Sequence, residues 1–395
     1  MKKTLLTICL VWMCFSLSAQ KIIDLSGKWS FSIDRQDNGE KEKWFSHTLN
    51  DFINLPGSMP EKQKGDEVTA KTQWTGSLYD SSYYYNPYME KYRKEGNIKF
   101  PFFLTPDKHY VGAAWYQKEV NIPADWKGER ILLFLERPHI ETTVWVNGQK
   151  TGMQNSLCVP HQYDITHYVR PGKCTITIRV DNRIKEINVG PDSHSITDQT
   201  QGNWNGIVGR ICLQTTPKTY FDDIQIYPEP EQKLARVKVV IKGTGTAKVK
   251  LSAESFNTDK KHIVPAIQQE IKLNKGVTET EMVLPMGNDM LLWDEFHPAL
   301  YKLKAEVTNG KKTEIKEIQF GMRRFEIKGK WFYVNGRKTQ LRGTVENCDF
   351  PLTGYAPMDV ESWERVFRIC RSYGLNHMRF HSFCPPEAAF MAADR

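Results

Sequence analysis

The stretch Lys338–His381, KTQLRGTVENCDFPLTGYAPMDVESWERVFRICRSYGLNHMRFH, reads as strand, long loop, helix, tight turn and strand. Thr339 to Thr344 is a short extended run, and Gly343 suits a strand end where the backbone bends. Asp359 has the side chain of a helix N-cap. After it, Val360, Trp363, Val366, Phe367, Cys370 and Tyr373 recur at three- and four-residue spacing, which makes one apolar stripe. Gly374 supplies the left-handed stop, and Leu375 to Phe380 forms the next strand. Two strands joined through one helix make a parallel crossover. Pro385 and Pro386 open a second helix, Glu387 to Ala393, and the chain ends inside it. A parallel unit of this size cannot bury its own sheet, so the expectation is the front of a longer protein.

At the other end, Met1–Gln20 has a basic start at Lys2 and Lys3 and a mostly apolar run from Leu5 to Phe15. The small residues Ser16, Ser18 and Ala19 follow, as in a secretory signal peptide cleaved after Ala19. The expected location is therefore periplasmic or secreted. The run is too short to span a bilayer, and no later stretch is a better candidate. The net charge of +8 is spread among acids, without an Arg-rich tract or zinc-finger spacing, which argues against a nucleic-acid partner. Beyond the signal, cysteines 158, 174, 212, 348, 370 and 384 are widely spaced. They fit buried thiols better than a disulfide scaffold or a metal-ligand set.

From Ile22 to about Pro217 short alternating runs recur: Gly27–Phe31, Ala114–Tyr116, Ile131–Leu135, Thr143–Val146 and Thr175–Val180. Asn147-Gly148 is a strong hairpin signal. This density of strands predicts a β-sandwich or jelly roll over residues 20–227. Residues 59–110 depart from the pattern and read as an insertion. Within it, Trp74, Tyr79, Tyr83, Tyr84, Tyr85 and Tyr88 either line a sugar or pack the insertion onto the sandwich. Tyr227-Pro228-Glu229-Pro230 reads as a stiff linker. Residues 228–328 then carry enough strands for an immunoglobulin-like sandwich, without its cysteine pair or buried tryptophan. Residues 329–395 hold the parallel unit. The fold class is mostly β, with two sandwiches followed by the start of a parallel α/β domain.

Several local motifs now line up in order. They are Leu25-Ser26-Gly27-Lys28-Trp29, Leu55-Pro56-Gly57, Trp115-Tyr116-Gln117-Lys118, Val144-Trp145-Val146-Asn147-Gly148 and Trp204-Asn205-Gly206-Ile207. Leu292-Trp293 through Pro298 to Tyr301, Phe320-Gly321-Met322-Arg323, Val334-Asn335-Gly336 and Leu341-Arg342-Gly343 continue the series. Together they resemble glycoside hydrolase family 2, the β-galactosidase and β-glucuronidase family, over nearly the whole chain outside 59–110. The resemblance implies a jelly-roll sugar-binding domain, an immunoglobulin-like domain and a truncated (β/α)8 barrel. It also implies a retaining mechanism with two glutamates, both on later barrel strands beyond residue 395. No catalytic residue is expected in this chain, and no cofactor; a cation occurs in the family, but nothing here indicates one. The partner implied is a carbohydrate, and oligomeric state is left open.

Under that resemblance the substrate-binding candidates are Arg379, His381, Ser382, Arg342, Glu346, Asp349, Asp198 and Trp204. Glu346 and Asp349 follow the first strand on the side where barrel active sites form, as substrate-hydroxyl contacts or as plain loop residues. Arg379 leaves the second strand at the same face. The family has a Ser-His-Tyr-Pro-like turn after that arginine, whereas this chain has His381-Ser382-Phe383-Cys384-Pro385. The reversed order leaves His381 and Ser382 to share one role. Arg379 and Arg342 have an alternative as internal ion-pair partners. Asp198 and Trp204 sit in a loop that in the family approaches the barrel mouth; a turn-capping aspartate and a packing tryptophan are the alternative. Three functions compete: an exported glycosidase front portion, a non-catalytic carbohydrate-binding truncated protein, and a scaffold without a sugar site.

Overall fold

The structure is a computed structural model, and it describes residues 20–69, 71–75, 85–98, 105–185, 193, 196–198 and 202–395. The expected signal peptide, Tyr79, Tyr83 and Tyr84 lie outside these residues. Among the described residues no helix is long and apolar enough to cross a membrane.

The first sandwich consists of two antiparallel sheets. One runs in the order Ile22–Asp24, Gly206–Thr216, Arg130–His139, His161–Asp164, with Gly57–Ser58 paired to the start of Gly206–Thr216. The other runs Gln149–Asn155, Glu141–Val146, Gly172–Asp181, Ala113–Ile122, Gly27–Asp34, Asp51–Leu55. Alternation puts Trp29, Phe31, Tyr116, Leu133, Val144 and Ile178 into one shared core. The hairpin signal at Asn147-Gly148 is a two-residue turn with φ of 50° and 78°, the left-handed pair that matches strand twist. Outside the second sheet, Trp115, Trp145 and Leu49 make a smaller core with Trp44 and Phe45.

The second sandwich packs Tyr220–Glu229, Leu234–Lys242 and Val277–Pro285 against Ile263–Leu273, Gly245–Phe256, Leu300–Asn309 and Lys312–Phe320. Here the linker expectation fails. Tyr227–Glu229 is the end of a strand paired with Leu234–Arg236, and Pro230–Gln232 is the short helical turn that closes the hairpin. Proline is tolerated because the run sits at an edge strand and at a turn. The insertion is also tied down at its ends: Asp66–Glu67 pairs with Lys108–His109, and Trp74 packs on His109 at 4.7 Å between ring centres. Tyr85 and Tyr88, by contrast, are exposed.

A three-stranded sheet, Phe325–Lys328, Trp331–Val334 and Arg337–Thr339, leads into the parallel unit. The expected strand Thr339–Thr344 divides: Arg337–Thr339 closes the antiparallel sheet, and the parallel strand is Gly343–Glu346. Its partner is His377–Phe380, two residues shorter at its start than the sequence suggests. Between them runs α1, Val360–Ser372, with the Asp359 carboxylate accepting from the Ser362 backbone N–H as the N-cap reading requires. Gly374, at φ 79°, ends it, and the Leu375 N–H donates back to the Cys370 carbonyl. The second helix, α2, is Glu387–Asp394.

Candidate active site

Parallel register decides which side chains share a face. Thr344 pairs with Met378 and Glu346 with Phe380, while Gly343 pairs with His377 and Val345 with Arg379. Met378 and Phe380 turn to the helices, where they meet Trp363, Phe367, Ala388, Ala389 and Ala392. Trp363 and Phe380 meet edge to face at 5.6 Å, and the three alanines let α2 approach closely. Val345, His377 and Arg379 therefore lie on the opposite, uncovered face, and all three are exposed. A Cβ on Gly343 would meet the His377 ring at 2.8 Å, so the two strands crowd there.

At the C-terminal ends of the strands, the His381 N–H donates to the Glu346 carbonyl (2.8 Å). The His381 ring nitrogen Nδ1 lies 3.3 Å from Asn347 Oδ1. Glu346 uses one carboxylate oxygen to accept from the Cys348 N–H (2.8 Å), which steadies a residue in the left-handed region. Burial, aided by the neighbouring Glu346 charge, raises the Asp349 carboxyl above its ordinary value. Asp349 lines a cleft of about 1320 Å³ between Phe134, Glu136 and Arg210 of the first sandwich and Met391 of α2. Ser382 is exposed in the turn beyond.

The eight candidates thus separate. Arg379, His381, Ser382, Glu346 and Asp349 gather around the C-terminal ends of the parallel strands. Arg342 does not join them. It precedes Gly343 at the N-terminal end, where Nε donates to the Gly374 carbonyl (2.7 Å) and the backbone N–H to Asn376 Oδ1 (2.8 Å). That makes it a helix C-terminal cap, which suits a cation there.

Trp204 belongs to the junction between sandwich and parallel unit, whereas Asp198 is bonded within the first domain. Asp198 is buried and accepts from the N–H groups of Thr75 and Asn203, at 2.5 and 2.9 Å. Trp204 stacks on His139 at 4.7 Å and leans on Tyr355 at 5.5 Å. Burial pushes the His139 imidazole down to about 4, so it is neutral where it stacks.

Three residues that sequence reasoning passed over build this junction. The Tyr355 hydroxyl donates to Glu61 Oε2 (2.9 Å), and Ser58 Oγ donates to the Thr353 carbonyl. A guanidinium nitrogen of Arg137 donates to the Cys384 carbonyl (2.9 Å). The available signal was the polar run Glu136-Arg137-Pro138-His139 inside a strand whose earlier residues are apolar. The second sandwich grips the unit from the other side, with Trp293 Nε1 donating to the Asp394 carbonyl (2.7 Å) and Asn376 Nδ2 to Glu295 Oε2 (2.7 Å).

Chemically, the gathered groups can donate and accept hydrogen bonds to a polyhydroxylated ligand. Glycoside cleavage asks for two carboxylates facing one anomeric carbon. Glu346 spends one carboxylate oxygen on the Cys348 N–H, and Asp349 lines the cleft beside the first sandwich. Among the described residues no group of three or more His, Cys, Asp or Glu is placed to hold a metal ion.

Two family models match the chain in succession. Residues 22–217 match the sugar binding domain of the glycosyl hydrolases family 2, and residues 219–323 match a second glycosyl hydrolases family 2 domain. The chain belongs to glycoside hydrolase family 2. A human β-glucuronidase is 23% identical over 407 residues, covering 94% of this chain and 55% of that protein. A β-galactosidase of Thermoanaerobacter pseudethanolicus is 24% identical, covering 75% of this chain and 39% of that protein. In fold, the family-2 chain matches a β-glucuronidase from Ruminococcus gnavus in complex with D-glucuronic acid. The TM-score is 0.70 at 19% identity, over 95% of this chain and 59% of that one. The chain spans about half the length of the human relative it matches.

Proposed function

We propose that this chain is the front portion of an exported family-2 glycoside hydrolase acting on β-linked glycosides of oligo- or polysaccharides. In this reading the parallel unit is the first quarter of a (β/α)8 barrel. Both catalytic glutamates of a retaining mechanism come from later strands, outside these 395 residues. The observation that carries the reading is the uncovered face of the parallel pair. Arg379 stands on it next to the His381-Ser382 turn, at the strand ends where barrel enzymes assemble their sites. β-Glucuronidases and β-galactosidases among the relatives support β-glucuronides and β-galactosides as the first substrates to try.

In this mechanism Arg379 offers a fork of donors to the hydroxyls or carboxylate of the terminal sugar. His381 and Ser382 bracket the same sugar from the turn. Trp204 acts at a distance by packing on Tyr355, and Asp198 holds the adjoining Asn203 in place. The 395-residue chain is expected to release no nitrophenol from nitrophenyl β-glucuronide or β-galactoside, while the longest reading frame containing it does. Turnover by the 395-residue chain, abolished in Glu346→Gln, would make the first-strand carboxylates catalytic and sink the proposal. Sugar binding without turnover by the longest frame would favour the non-catalytic alternative.

A further inference from the structure

Cys158 and Cys384 lie 226 positions apart in the sequence and in different domains, yet they meet at the junction. Cys158 is in the loop between the strands Gln149–Asn155 and His161–Asp164, and Cys384 is three residues past His381. One guanidinium nitrogen of Arg137 donates to both of their carbonyls, at 3.3 Å for Cys158 and 2.9 Å for Cys384. Both cysteines line a cavity of about 50 Å³, closed by Trp204, Tyr355 and Cys348. We propose that Cys158 and Cys384 are a modification site: a reversible disulfide that ties the sandwich to the turn carrying His381 and Ser382.

Accessibility and electrostatics favour this pair over the other thiols. Cys384 is exposed and Cys158 is half-buried, so an oxidant reaches the first and the second is close behind it. Burial raises the Cys158 thiol, and the Arg137 charge together with the Cys384 backbone partly offsets it. Cys348 is buried, and burial pushes its thiol up to about 12, which keeps it protonated and a poor competitor. Both partners sit on loops, which can adjust to disulfide geometry more readily than strands.

The step is thiol–disulfide exchange with a small-molecule or protein disulfide as oxidant. The Cys384 thiolate attacks one sulfur of that disulfide and expels a thiolate, forming a mixed disulfide. The Cys158 thiolate then attacks Cys384 Sγ and expels the second thiolate. Two electrons pass to the oxidant, and the two thiol protons are released to the expelled thiolates. Such an oxidant is present wherever exported proteins mature. The product bolts the His381-Ser382 turn to the sandwich.

The test equilibrates the full chain in reduced and oxidised glutathione mixtures and quenches by alkylation. Peptides are then mapped by mass spectrometry without reduction. The expected result is a cross-linked pair joining Cys158 to Cys384, with Cys174, Cys212, Cys348 and Cys370 recovered as thiols. Oxidation should slow protease cleavage beyond Lys338 by about tenfold, since local opening now carries a closed loop. Cys384→Ser should remove both effects. The proposal is overturned if both cysteines are alkylated at every glutathione ratio. It is equally overturned if Cys384 carries only glutathione, or pairs with Cys348 or Cys370. The wild-type map decides even if Cys384→Ser fails to fold.

Discussion

Trp115 and Trp363 are both almost fully buried, yet they sit in regions built on opposite terms. Around Trp115 the sandwich is covered on both sides: its inner core is shared by two sheets, and its outer face is capped by Trp44, Phe45 and Leu49. Its indole N–H donates to the Asp34 carboxylate (3.0 Å). Around Trp363 the parallel unit has helices on one face only. Tyr373 is 82% exposed, Leu352 87%, and the Arg379 face has no cover among the described residues. A parallel sheet is normally buried on both faces. The contrast teaches that the sandwich is finished by its own residues, whereas the parallel unit is held by neighbours: Arg137, Glu61, Trp293 and Glu295.

The largest expected effect comes from removing each tryptophan. Trp115→Ala should cost about 3–5 kcal/mol and lower the main thermal transition. Trp363→Ala loses similar contacts but should open only the parallel unit, read as faster hydrogen exchange over 343–394 with the sandwich unchanged. If Trp363→Ala lowers the sandwich transition as much as Trp115→Ala does, the two regions are one cooperative unit and the contrast breaks.

Acid sharpens the same comparison with a smaller effect. His139 and His161, in the first sandwich, are pushed down by burial to about 4 from an ordinary 6.5. Below pH 6.5 the unfolded chain takes up protons that the folded sandwich refuses. Their contribution is therefore complete above that pH and lost as pH falls toward 4. Each should lose about 2–3 kcal/mol by pH 4.5. In the parallel unit, Asp349 and Asp394 are raised, chiefly by burial. Their contribution has the opposite sign: it is present at low pH and lost as pH rises through the folded-state value. Hydrogen exchange at pH 7 and pH 5, corrected for intrinsic rates, should show the sandwich losing protection and residues 343–394 losing less. Parallel losses in the two regions would contradict the assignment.

A junction hydrogen bond gives the smallest effect. Tyr355→Phe removes the bond to Glu61 and should cost about 1 kcal/mol, confined to exchange in the 347–358 loop. A global shift in Tm instead would mean that the loop is part of the sandwich core.

Much of this contrast was legible in the sequence, because it rests on period and on turn chemistry. The alternation of the sandwich strands, the Asn147-Gly148 turn, the Asp359 cap and the Gly374 stop are local signals, and each predicts its own element. What failed was non-local. Tyr227-Pro228-Glu229-Pro230 has linker composition, but pairing with Leu234–Arg236 outweighs it. Arg342 follows a motif in the right order, yet being one residue before the strand puts it at the wrong end of the sheet. Arg137 and His139 left only a polar run inside an otherwise apolar strand, and Tyr355 left no motif, since their roles appear only when two domains meet.

We propose that the bare face of the parallel pair holds the terminal sugar through Arg379. The most direct test is kcat/KM for a nitrophenyl β-glycoside, measured with Tm, for Arg379→Lys in the longest reading frame that contains this chain. The substitution keeps the charge and loses the guanidinium fork. Because Arg379 is exposed and lies outside the packed helix face, the fold should stand. The expected result is a fall of about 10²-fold or more, the size of a lost transition-state donor, with Tm unchanged within about 2 °C. Activity within about threefold of the parent, or a collapse of Tm along with activity, would contradict it.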